Sequence, residues 1–446
     1  MKRCPLPPLG PFSTVSVPER ARKARLGGGN KQDVSVIKRL PALAPFRIRS
    51  FRFQWPADVL ASWAFEMEGI ILGWFVLVST GSVLALAIFG SLQFLGTLIS
   101  PFFGMAGDRI GNRNVLCVMR GIYLLIALAL LVLFVNDAAS STWVFVLATV
   151  VGLVRPSDIT MRNLLVGETM PADLLMRAMG VSRTTADSAR VVGALSGAAL
   201  VAALGSGAAY VAVCALYAAS FALTFKVGTA RLRVLHDDPS PLRALKEGFA
   251  YIWSTPDLRA AMLLAFLINL AAYPLVGSLL AYVARDLYGL DQRGLGWLVA
   301  SFAGGALVGS IVLSTHGAWL RPARTMIACT LLWFALNLVF SWVRDPSWGV
   351  AVLVAAGFVQ SFCMVPMAVI LLRTAEPAFR GRVMGVRMLA VYGLPLGLLL
   401  SGPLVEYAGF AATGSIYSIV GLFCTWLIAR RWRANLWHAG SAANAR

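Results

Sequence analysis

Gly104-Met105-Ala106-Gly107-Asp108-Arg109-Ile110-Gly111-Asn112-Arg113 lies between two long apolar runs. Asp108, Arg109 and Arg113 are ionised, yet the flanking chain is apolar enough to leave water. Charges pinned between membrane-length helices belong to a short turn at a bilayer surface, not to a soluble active site.

Composition agrees. The chain is 58% hydrophobic and 13% charged, with a mean hydropathy of +0.75. Soluble domains carry about 25% charged residues, so much of the usual charge is missing. A formal charge of +19 would point to nucleic acid in a soluble protein. Here the bases sit in the tails and in alternate loops, so the expected partners are lipid and small molecules, not nucleic acid. Cysteines 4, 117, 214, 329, 363 and 424 are scattered and form no C-x-x-C pair. Packed free thiols are expected, with neither metal nor cofactor.

Twelve runs satisfy the need for about 20 mainly apolar residues. They fall near 57–79, 82–104, 115–136, 142–166, 176–203 and 207–228, then near 258–284, 293–315, 323–343, 347–372, 379–405 and 411–431. Arginine and lysine crowd one set of connections, from Arg109 and Arg113 through Arg162 and Arg177 to Arg430 and Arg431. The opposite loops, such as Ser79-Thr80-Gly81-Ser82, are poor in them. That asymmetry places both termini in the cytosol.

The expected fold is therefore all-α and integral to the membrane, with twelve spans in two six-helix bundles. Residues 1–56 form a basic, disordered cytosolic arm, and 57–228 the first bundle. Residues 229–257 form a linker, 258–431 the second bundle and 432–446 a tail. Within the linker, Ser240-Pro241 suits a helix start, and Leu242, Leu245, Phe249, Ile252 and Trp253 recur at helical spacing. This predicts a helix lying along the inner membrane surface. Met179-Gly180-Val181 recurs as Met384-Gly385-Val386 at equivalent helices, as a duplicated six-helix unit predicts.

Chemistry concentrates in the first run. Asp58, Ser62, Glu66, Gly69 and Gly73 share one helical face. Glu66 therefore points where small and polar residues collect, and Glu68, about 200° away, meets a neighbouring helix. Neutralising a glutamate of ordinary pKa at pH 7 costs about 3.7 kcal/mol. Placing a charge at mid-membrane costs roughly 2.5–3.5 kcal/mol. The two are close, so such a carboxylate can exchange its proton as a cavity opens and closes. Permanent pairing with an arginine is the alternative. Arg155 in the fourth run lies about 18 Å of helical rise beyond Trp143, where Asp158 at i+3 offers a partner. Arg183, Asp187 and Arg190 form one charged stripe, read as an ion-pair ladder. Trp63, Asn269, Tyr273 and Gln360 are candidates to line a substrate cavity.

The loop resembles the G-x-x-x-D-R-x-G-x-R signature of the major facilitator superfamily, at Gly104, Asp108, Arg109, Gly111 and Arg113. The span from about 50 to 432 is similar to bacterial twelve-helix exporters of drugs and siderophores driven by protons. The resemblance implies alternating access in a multi-pass protein of the bacterial inner membrane, acting as a monomer. It implies that Asp108 caps the start of the eleventh helix and gates the cytosolic side. Arg109 or Arg113 would pair with a carboxylate near the end of the fourth helix, such as Asp158. Three departures leave the direction of transport open. Asn112 replaces a basic residue, Gly193-Ala194 stands where antiporters show Gly-Pro, and the stretch from His316 to Arg324 lacks the aspartate. The leading expectation is proton-coupled export of an amphipathic small molecule, with Glu66, Glu68 and Arg155 in proton coupling. Uptake of a metabolite by symport is the alternative, and a non-transporting membrane sensor a third. No G-x-x-x-x-G-K-[ST], catalytic triad or metal constellation occurs, so neither an ATP-driven pump nor an enzyme is indicated.

Overall fold

Apolar runs of this length leave the backbone no water to bond, so each amide must find its partner within its own segment. The computed structural model describes residues 41–97, 99, 103, 106–107, 109–228, 241–316, 321–376 and 379–432, and among these there is no strand. The chain divides into two units, Met1–Ala44 and Pro45–Arg446, and every α-helix among the described residues belongs to the second. Residues 1–40, 229–240 and 433–446 lie outside the described residues; they hold most of the predicted arm and tail and the start of the predicted linker.

Among the described residues, twelve α-helices of ten residues or more carry the fold: α1 (Arg49–Thr80), α2 (Val83–Leu92), α3 (Asn112–Val135), α4 (Ser141–Thr169), α5 (Ala172–Phe225), α6 (Pro241–Ser254), α7 (Pro256–Ala271), α8 (Gln292–His316), α9 (Pro322–Trp342), α10 (Pro346–Thr374), α11 (Arg380–Ala390) and α12 (Gly393–Arg431). These do not map one to one onto the predicted runs. Among the described residues, eight helical segments are long and apolar enough to cross a membrane. Their outward faces carry exposed Leu125, Val132, Leu400 and Phe423, the reverse of a soluble surface. Starts are marked locally. Ser82 accepts from the Ala85 amide, Asp345 from the Ser347 and Trp348 amides, and Pro256, Pro322 and Pro346 occupy first turns.

Three predicted runs are not uniform helices. The second ends as α2 at Leu92 and turns into a 3-10 segment, Leu95–Thr97. The seventh breaks after Ala271, continues through Tyr273–Val276 and Leu280–Tyr282, and closes on a π turn, Val283–Leu287. Pro274 and the non-helical Gly277 explain that break. The eleventh is divided between α11 and the start of α12.

Conversely, α5 holds two predicted runs, and α12 holds the end of the eleventh and all of the twelfth, each joined at a glycine that leaves the helical region: Gly205 (φ 80°, ψ 170°) and Gly409 (φ 81°, ψ 166°). These positions are 409 − 205 = 204 residues apart. Gly81 (φ 64°) and Gly289 (φ 60°) form a second pair, 289 − 81 = 208 residues apart. Four of the five described positive-φ glycines thus recur at nearly one spacing. That is a stronger echo than the Met-Gly-Val match.

Packing joins the segments before and after α6. Helix α5 lies along both α1 and α8, and α12 lies along α2, α7 and α9. One end of this junction is bridged by polar contacts: Arg285 Nη1 donates to the Leu77 carbonyl at 2.6 Å, and Ser82 Oγ to Glu406 Oε1 at 2.9 Å.

The crossing of the second and fourth predicted runs depends on glycine. A methyl added at Gly152 would land on the Leu92 carbonyl, and one at Gly96 on the Leu153 carbonyl. Gly152→Ala is expected to destabilise the purified protein by about 1–3 kcal/mol through overpacking, read as a lower thermal midpoint. Gly167→Ala, with nothing within 4 Å, serves as the silent control. Equal midpoints for the two variants would refute the close crossing.

Candidate functional site

Helices from both halves of the chain enclose a cavity of about 480 Å³. Its polar wall begins on α1. One helical turn apart, Glu66, Gly69 and Gly73 face the space, and the two glycines leave it open. Glu66 Oε1 lies 3.7 Å from Arg190 Nε of α5, and the two side chains remain partly exposed, at 27% and 35%. The pair is in contact with the cavity, not sealed from it.

Arg155 comes from α4 and also lines the cavity. Its Nη1 donates to Gln93 Oε1, and its guanidinium stacks on the Phe65 ring. The second half contributes Asn269 and Tyr273. Asn269 Nδ2 bonds back to the Ala265 carbonyl at 2.8 Å. Tyr273 OH accepts from Gln360 Nε2 at 2.7 Å, and its ring meets Trp333 edge-on at 5.1 Å. Phe89, Phe302, Met364 and Met367 supply apolar wall. Aromatic and thioether surfaces with a few fixed charges suit a ligand that is part apolar, part polar.

Of the residues singled out by sequence, Glu66, Arg155, Asn269 and Tyr273 converge on this cavity, and Arg190 joins them. Glu68 does not. It is buried, accepts from Tyr217 OH at 2.9 Å, and borders a separate void of about 20 Å³ together with Gln93 and Arg155. That is room for about one water.

Several expectations need correction. Asp158 does not satisfy Arg155; its Oδ2 lies 2.5 Å from Arg162 Nη2 at i+4, while Arg155 turns to Gln93. Nor does Asp158 meet the loop arginines. Arg113 bonds Asn114 Oδ1 and the Val227 carbonyl, and Arg109 is exposed. The carboxylate at the end of α4 that reaches the loop is Glu168, which accepts from Asn112 Nδ2 at 2.6 Å. The unexpected asparagine is thus the residue tethered there. Gly111 (φ 88°) precedes α3 as its N-cap. Gly104 and Asp108 lie outside the described residues, as does the side chain of Arg183. Trp63 does not line the cavity: its Nε1 donates to Ser196 Oγ at 2.7 Å and ties α1 to α5. Gln360 is buried behind Tyr273 and holds it. Arg190 pairs across helices with Glu66, so the stripe on α5 is more than a ladder within one helix.

Sequence reading missed a buried cluster. Asp58 of α1 pairs with Arg120 of α3, which also bonds Thr224 Oγ1, and Arg162 Nε stands 3.7 Å from Asp58 Oδ1. Arg120 has no exposed surface. An arginine in the middle of an apolar run was the available signal. Arg162, whose charge suggests a loop, lies instead inside α4. The described cysteines are free.

The Major Facilitator Superfamily model matches residues 55–314. The multidrug efflux pump Tap of Mycolicibacterium fortuitum is 26% identical over 352 residues, covering 76% of this chain and 85% of the pump. Its counterpart in Mycobacterium tuberculosis (strain H37Rv) is 25% identical over 390 residues, covering 84% and 91%. Among solved structures, a POT family transporter in complex with a thioalcohol-conjugated peptide superposes with TM-score 0.70 at 12% identity, covering 87% of this chain and 96% of that one. The human organic anion transporter MFSD10 gives 0.60 at 17% identity, covering 85% and 99%. At these identities the structures speak for the fold alone.

Proposed function

The chain belongs to the major facilitator superfamily, and from that premise we propose that it exports amphipathic small molecules in exchange for protons. Twelve membrane crossings in two six-helix bundles, with both termini in the cytosol, complete the reading. The glycine pairs support it by marking equivalent points of two repeats. The similar pumps, described as multidrug efflux proteins, support the direction and substrate class.

The observation that carries the proposal is the Glu66–Arg190 pair on the cavity wall. A carboxylate in contact with the cavity can take up a proton from it, and protonation removes the charge that holds Arg190. The ionised carboxylate can hold the basic end of a substrate, so protonation of Glu66 competes with the substrate and releases it, and the two occupy the site in turn. Phe65, Phe89, Met364 and Met367 hold the apolar part without fixing its shape, which suits a broad substrate range. Rocking of the two bundles about α5–α8 and α2–α12 would expose the site to each side in turn, breaking the contacts of Arg285 and Glu406 on the way. Asp108 would gate the opposite end.

Reconstitution into proteoliposomes tests this directly. An inward-acid gradient is expected to drive accumulation of an amphipathic dye such as ethidium, and a protonophore to abolish it. Accumulation that ignores the gradient would remove proton coupling from the proposal, and movement in the opposite sense would make the protein an importer.

A further inference from the structure

At the end of the bundle where Arg430 and Arg431 close α12, two arginines converge on one ring. The guanidinium of Arg259, in the first turn of α7, lies 5.3 Å from the Trp432 ring centroid, and that of Arg431 lies 5.8 Å from it. Arg259 is also 6.0 Å from the Trp253 ring of α6. Among the described residues neither arginine has an ion pair, and the Arg259 Nε is buried without an acceptor. Asp257 sits two positions from Arg259, so the two do not face each other on α7. Indole faces attract cations but do not neutralise them, so two positive groups gathered on one ring call for an anion.

The surroundings place that anion at a membrane boundary. Phe249 and Trp253 of α6 are exposed and stacked at 5.4 Å, and Phe423 and Trp426 of α12 are exposed and stacked at 6.2 Å. Directly after Arg259, Ala260 and Ala261 are fully buried and begin the apolar run of α7. Exposed tryptophans beside arginines, one turn from membrane depth, are what an interfacial belt looks like. A soluble ligand has no use for those rings; an acyl-glycerol does.

We propose that Arg259 and Arg431, gathered around Trp432 and Trp253, bind the phosphate of an anionic glycerophospholipid, with Phe249 and Trp253 resting against its acyl-glycerol portion. The site would fasten α6 and the start of α7 to the end of α12. It rests on the membrane placement of the chain and not on the direction or coupling of transport.

The test is a binding measurement on the full chain, purified in neutral detergent and followed by native mass spectrometry and thermal midpoint. Phosphatidylglycerol is expected to be retained and to raise the midpoint, and phosphatidylcholine to do neither. Arg259→Gln and Arg431→Gln are each expected to weaken phosphatidylglycerol binding about fivefold, the usual worth of one basic residue near an anionic surface. Arg430→Gln, whose guanidinium lies over Trp426 instead, is expected to leave it unchanged. Should Arg259→Gln not purify as a single species, the exposed Arg431 reports on the same site. Equal retention of the two lipids, or equal loss in Arg430→Gln, would overturn the proposal. Inorganic phosphate raising the midpoint as much as the lipid would assign a soluble anion and overturn the lipid. Because no transport is measured, a failure here is separate from a failure of the export reading.

Discussion

Glu66→Gln is expected to reduce proton-driven transport about tenfold or more, a change of at least roughly 1.4 kcal/mol, while leaving the thermal midpoint close to that of the parent. The two expectations follow from one geometry. The pair with Arg190 is loose, at 3.7 Å, and both groups reach the cavity. Two unit charges 4 Å apart attract by about 1 kcal/mol in water and about 4 kcal/mol near a protein surface, and exposure favours the lower figure. Little stability is therefore at stake, and a proton or a substrate can compete for either partner. Glutamine keeps the shape and the hydrogen bonding but cannot ionise, so it fixes the site in the neutral state that protonation of Glu66 would give. Glu68→Gln makes the contrast, since its buried carboxylate bonds Tyr217 and lies away from the main cavity; it is expected to keep coupling. The measurement is dye accumulation against an imposed gradient, with Arg190→Ala and the double variant completing a cycle. Retained coupling in Glu66→Gln with loss in Glu68→Gln would move the proton site to the buried acid.

Asp58→Ala acts on stability instead. Asp58 and Asp158 face Arg120 and Arg162 in a cluster with two charges of each sign. Removing Asp58 leaves Arg120, wholly buried, with Thr224 alone. Breaking a buried pair at one partner costs about 3–5 kcal/mol, enough to lower the midpoint in detergent clearly or to prevent purification. The double variant Asp58→Ala with Arg120→Leu removes the stranded charge and is expected to recover much of that loss. Were the single variant as stable as the parent, or the double no better than the single, the cluster would not hold α1, α3 and α4 together.

Hydropathy made most of the helical architecture legible, because membrane helices obey local rules of length and composition. The face of α1 was legible for the same reason: a period of 3.6 residues set Glu66 inward and Glu68 toward a neighbour. Partners of the buried charges were not. Asp58 meets Arg120 and Glu68 meets Tyr217 across 62 and 149 residues, and no spacing rule spans such distances. Asp158 was a different failure. Arg155 at i−3 and Arg162 at i+4 both lay within reach, and the choice fell to three-dimensional contacts, Gln93 drawing Arg155 away. Gln93 itself gave no signal because the second run does not continue as one helix beyond Leu92. The separation of Trp63 from the cavity turned on a single hydrogen-bond partner, Ser196.

The two helix junctions at Gly205 and Gly409 contain no coil residue besides the glycine. A backbone at φ near 80° with ψ near 170° is open to glycine almost alone. Antibodies, proteases and epitope tags aimed at that side of the protein would therefore find a tight corner where a flexible loop is usually sought. Labelling strategies would do better at Asn136 and Asp137, where helices α3 and α4 are separated by a true turn.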